Sequence, residues 1–215
     1  GVDLVDGAKE VAVSVATEYG RRRRGFHYCD LRLEVGETRS AASENGLEKA
    51  GSEDYSLSFG VRVLAGKETL APGYYGQMLG SADLGDLARV LRQGMDHAYH
   101  RALANAEKKS QTQKSFPALA GSLYKTDLAP VPVHQVQISA QFKVDPRSVP
   151  LPRVVGYVRE ISQAVTGLSD RAYYNVVVAS TALIRELFCS SQGACIDQSY
   201  ALTEGMVFAV CGGKH

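Results

Sequence analysis

Six of the seven prolines fall between residues 115 and 152, at positions 117, 130, 132, 146, 150 and 152. Proline deletes a backbone donor and clashes with the preceding helical turn, so no long helix can cross this stretch. It reads as an extended connection with one short strand over 135–142, separating a unit at 1–114 from a second at 153–215. Both units belong to a single 1–215 domain.

The first unit opens on a helical stripe. Val5, Ala8, Ala12, Val15 and Tyr19 recur at three- and four-residue steps across residues 2–19. Arg21, Arg22, Arg23 and Arg24 follow, where cations complement the partial negative charge of a helix C-terminus. From Tyr28 the period changes to two: Cys29, Leu31, Leu33 and Val35 alternate with Asp30, Arg32 and Glu34. A polar stretch then runs to Asn45-Gly46, a strong hairpin signal. Strands over 47–50 and 55–64 complete an expected three-strand antiparallel meander. A helix over 83–109 carries Leu84, Leu87, Leu91, Met95, Ala98, Ala102 and Ala106 on one face.

The second unit repeats the order. A helix from Arg153 places Val154, Val158, Ile161, Val165 and Leu168 in register, and strands are expected over 173–179, 184–189, 194–200 and 206–210. Setting Gly46 over Gly193 brings Ser43-Glu44-Asn45-Gly46 onto Ser190-Ser191-Gln192-Gly193, and Gly66-Lys67 onto Gly213-Lys214. The expected fold class is therefore α+β, two helix-plus-antiparallel-meander units with an internal duplication.

Cys189 and Cys195 flank that second turn, where they admit a disulfide, a reactive or metal-binding thiol, or structural free thiols. The last is favoured by a reducing compartment and by the absence of any Cys-x-x-Cys pair. His97 and His100 share a helix face and are the one close histidine pair, a weak metal candidate beside Arg101. Phosphate-loop, dinucleotide and esterase-elbow motifs are absent. The glycine-rich loop around Tyr74 and Tyr75 is the candidate substrate cleft. A net charge of +1 and apolar runs too short for a bilayer argue against nucleic acid and membrane, and four cysteines, too few for a disulfide scaffold, make a reducing cytoplasm the default.

Gly25-Phe-His-Tyr-Cys-Asp-Leu-Arg32, Asn45-Gly46, Gly60-Val-Arg-Val-Leu64, Val144-Asp145-Pro146 and Ser190-Ser191-Gln192-Gly193, in this order, resemble the N-terminal domain of the TldD/PmbA family. These are metalloproteases once described as modulators of DNA gyrase. The resemblance implies proteolysis of peptide or unfolded-protein substrates in a cytoplasmic dimer, either a homodimer or a heterodimer with a paralogue. It also implies zinc in the full-length family member, held by a His-Glu-x-x-x-His helix. This chain carries no such motif, so neither a catalytic residue nor a cofactor is expected within it. The competing reading is a free-standing, non-catalytic module binding protein, or nucleic acid through Arg21–Arg24. A cysteine-based enzyme at Cys189 or Cys195 is the third.

Overall fold

A computed structural model describes residues 2–118 and 128–213. Residues 119–127 of the expected connection and the Lys214 end of the repeat alignment lie outside them. The first helix, α1 (Leu4–Glu18), buries Val5, Ala8, Ala12, Val15 and Ala16. It leads into β1 (Phe26–Glu44) and β2 (Leu47–Gly66), joined at Asn45-Gly46. Both turn residues have positive φ, 48° and 80°, as a two-residue turn of this hand requires.

The polar stretch after Val35 does not interrupt these strands, contrary to expectation. Ser40 and Ser52 share a hydroxyl hydrogen bond of 2.9 Å, and Arg39 donates to Glu53. Cross-strand polar pairs sustain the ladder where apolar alternation stops.

The third strand is also displaced from where the pattern put it. It is β3 (Leu70–Met78), across the stretch read as the glycine-rich loop around Tyr74 and Tyr75. An edge strand tolerates Pro72 because one side of its backbone needs no ladder donor. After a short helix α2 (Ser81–Leu84), α3 (Leu87–Ser115) runs antiparallel beneath this edge. Gly73 lets the two backbones meet, since a Cβ there would lie 2.0 Å from the Ala98 carbonyl oxygen.

Beyond the connection come β4 (Gln135–Ile138), a 3-10 turn at Pro146–Ser148, and α4 (Leu151–Gly167). The four short strands expected afterwards merge into two long ones, β5 (Ala172–Ser190) and β6 (Cys195–Cys211). The resulting six-stranded sheet has the order β3-β2-β1-β5-β6-β4. Every pairing is antiparallel except β4 with β6. Helices and strands thus form an α+β fold.

One face of the sheet carries the core. Leu31, Leu33, Val61, Val63 and Leu187 pack there with α1 and α3, and Ala41 and Val177 pack with Val154 and Val158 of α4. Among the described residues no helix lies on the opposite face. Its β6 portion exposes Tyr200, Leu202, Met206 and Phe208.

The order helix, then long hairpin, occurs twice, and each turn docks on the other hairpin in the same way. The Asn45 amide donates to the Asn175 carbonyl, and its Oδ1 accepts from the Asn175 amide. Likewise the Ser191 amide donates to the Cys29 carbonyl, and its Oγ accepts from the Cys29 amide. Both sets of counterparts stand 146 positions apart (45 and 191, 29 and 175). Asn45 therefore corresponds to Ser191 rather than Gln192, one residue from the sequence alignment.

Candidate functional site

Between α4 and the outer strands runs a groove of about 390 Å³, open to solvent and mainly apolar. Val149, Val154 and Tyr157 form one wall, and Thr181, Thr203 and Gly205 the floor. Its rim at residues 144–149 is stiffened from within. Asp145 accepts from the Arg147 amide at 2.9 Å and takes the guanidinium on both carboxylate oxygens. That pairing holds the Asp145 carboxyl below the usual carboxylate range. From β1, Arg39 donates to the Pro146 carbonyl at 3.0 Å, tying the rim to the sheet.

The floor strand is anchored by a buried ion cluster that the sequence did not single out. On β6, Asp197 is 2% exposed and accepts both Nε and Nη2 of Arg185 at 2.8 Å. Lys9 reaches the same carboxylate at 3.2 Å, and Asp6 of α1 takes Arg185 at 2.6 Å. Arg185 holds the Asp197 carboxyl below its ordinary value, and Asp197 in turn raises the guanidinium's. Two opposite charges at core-facing positions of adjacent strands were the available signal.

Tyr74 and Tyr75 lie on β3 and, as consecutive strand residues, point to opposite faces. Tyr75 turns inward, stacking on His97 at 4.8 Å and donating to Gln77 at 2.9 Å. Tyr74 is exposed, at the sheet edge far from the groove. The structure therefore does not bring the two together in one cleft.

His97 and His100 both sit on the outer side of α3, His97 over Tyr75 and His100 against Tyr99. Asp96, the acid beside them, is taken up by the Tyr19 hydroxyl at 2.6 Å and Arg23 at 2.5 Å. No group of three His, Cys, Asp or Glu among the described residues is arranged to hold a metal ion.

Cys189 and Cys195 face each other across the β5–β6 hairpin as free thiols. Burial first, then Cys195 beside it, pushes the Cys189 thiol up to about 12, and burial raises Cys29 likewise to about 12. Neither is poised as a nucleophile at neutral pH. In the arginine run, Arg23 is committed to Asp96 and to the Tyr19 ring at 4.1 Å, while Arg21, Arg22 and Arg24 stay exposed. No helix among the described residues is long and apolar enough to cross a membrane.

Compared with known proteins, no family model and no curated protein matches the chain. Solved structures do. A protein described as a modulator of DNA gyrase from Bacteroides thetaiotaomicron aligns over 98% of this chain, with a TM-score of 0.60 and 10% identity. The fold is that of the TldD/PmbA-type gyrase modulators. A second such modulator, from Thermotoga maritima, aligns over 96% with a TM-score of 0.50, and TldE from Thermococcus kodakarensis over 94% with the same score, both at 10% identity. The chain spans 42%, 37% and 42% of these three proteins, less than half of each. Identity this low carries the fold and none of the chemistry.

Proposed function

We propose that this chain is the non-metal-binding domain of a TldD/PmbA-like metalloprotease. In that role it shapes the peptide-substrate cleft and the dimer contact of a cytoplasmic assembly. The observation that carries the reading is the match of 98% of this chain to 42% of a gyrase modulator. Catalytic zinc, on this reading, is held by sequence outside these 215 residues. The groove between α4 and β6 is the natural cleft wall. It is mainly apolar and its rim is stiff.

The test is zinc stoichiometry and peptidase activity of the purified chain. The expected result is no stoichiometric zinc and no cleavage of an unfolded protein. One equivalent of zinc, lost when His97 and His100 are replaced by alanine, would contradict the reading.

A further inference from the structure

The ladder between β4 and β6 covers only Cys195 to Gln198, leaving most of β6 at the outer edge of the sheet. The Cys195 amide points outward, to the His134 carbonyl. Antiparallel alternation therefore turns the amides and carbonyls of Ala201, Thr203, Gly205, Val207 and Ala209 outward too. None of these backbone groups has a hydrogen-bond partner among the described residues. From Ser199 to Cys211 the strand reads SYALTEGMVFAVC, with one charge, no lysine and no proline. A long apolar edge without such blockers is built to pair with another strand.

We propose that the free edge of β6 pairs with the same edge of a second copy of this chain, joining two six-stranded sheets into one across a twofold axis. The edge is self-complementary about Gly205. Antiparallel pairing centred there sets Ala201 opposite Ala209 of the second copy and Thr203 opposite Val207, all small or β-branched. On the helix-free face, Phe208 meets Leu202 of the second copy and Val210 meets Tyr200, which are favourable cross-strand pairs. The lone acid, Glu204, falls opposite Met206 rather than opposite its own counterpart. With a net charge of +1, two copies approach without strong long-range repulsion.

On β6 itself Tyr200, Leu202, Met206, Val207 and Phe208 are between 39% and 56% exposed, so the bare backbone is flanked by apolar side chains that a second copy would partly cover. The inference deepens the dimer-contact part of the proposed function, and it stands or falls separately from the zinc result.

Sedimentation velocity across a concentration series tests it, on wild type and three variants. Gly205→Pro removes one outward amide. That amide serves no bond to β5, and a Cβ at Gly205 meets nothing within 4 Å. Phe208→Glu charges the apolar pair, and serves if the proline variant fails to fold. Met78→Glu, at the opposite edge, is the control. A wild-type dimer that each β6 variant weakens by at least about tenfold, with the control unchanged, is expected. A wild type monomeric at all concentrations would overturn the proposal, even if it binds a foreign strand-forming peptide. So would a dimer indifferent to both β6 changes or lost on Met78→Glu.

Discussion

At the β3 edge of the sheet, three side chains one helical turn apart on α3 reach the strand. Arg101 donates to the Tyr74 carbonyl at 2.7 Å, Asn105 to Pro72 at 2.9 Å and Lys109 to Leu70 at 3.0 Å. These are alternate carbonyls, the set that faces outward, and Pro72 has no amide to offer. Among the described residues the β6 edge has no such cover beyond Ser199, whose hydroxyl accepts from the Ala140 amide. One edge is thus closed by a helix, and the described residues leave the other bare. The contrast teaches that sheet edges are managed separately, and that an unprotected edge beside a protected one marks where another strand is received.

The largest expected effect concerns what holds the bare strand in place. Asp197→Ala leaves Arg185 buried without its main partner, and should cost about 3–5 kcal/mol in denaturant unfolding. Because the Asp197 carboxyl is depressed, its contribution is complete above the unfolded-state value of about 3.9. It fades as pH falls below that value toward the folded one. Acid unfolding of the wild type should therefore steepen below about pH 4, and in Asp197→Ala this component should be missing.

A matched pair of substitutions comes next. Gly73→Ala drives a methyl into the α3 backbone and should cost at least about 1–3 kcal/mol. Gly205→Ala, with nothing within 4 Å, should stay within about 0.5 kcal/mol. Equal costs measured by thermal unfolding would erase the distinction between the edges.

Smaller still, Asn105→Ala uncaps one carbonyl of β3 and should cost about 0.5–1.5 kcal/mol, being a single neutral hydrogen bond near the surface. The smallest change is in reactivity alone. At pH 8 the exposed Cys211 at the end of β6 should alkylate quickly, while Cys29 and Cys189 stay protected by burial and by thiols pushed up to about 12. Peptide mass mapping reads the order, and fast labelling of Cys189 would show that the hairpin opens.

Much of the frame was legible in the residues. The stripe of α1, the alternation from Cys29 to Val35 and the Asn45-Gly46 turn all appear where their periods place them. Strand length was not legible, because Ser40–Ser52 and Arg39–Glu53 hold the ladder with polar pairs that mimic a loop. β3 was hidden for a related reason: Pro72, Gly73 and Gly76 are strand breakers anywhere but at an edge lying against a helix. The groove was invisible because its wall and floor are far apart in sequence. The docking of Asn45 on Asn175 and Ser191 on Cys29 sets the two turns in a register one residue from that of the sequence alignment.

Residue-resolved hydrogen exchange at high and low protein concentration tests the contrast between the edges most directly. The amides of Thr203, Gly205 and Val207 should be protected at high concentration and exchange freely on dilution, while that of Tyr74 on β3 exchanges alike at both. Exchange at Thr203, Gly205 and Val207 that ignores concentration would contradict the account.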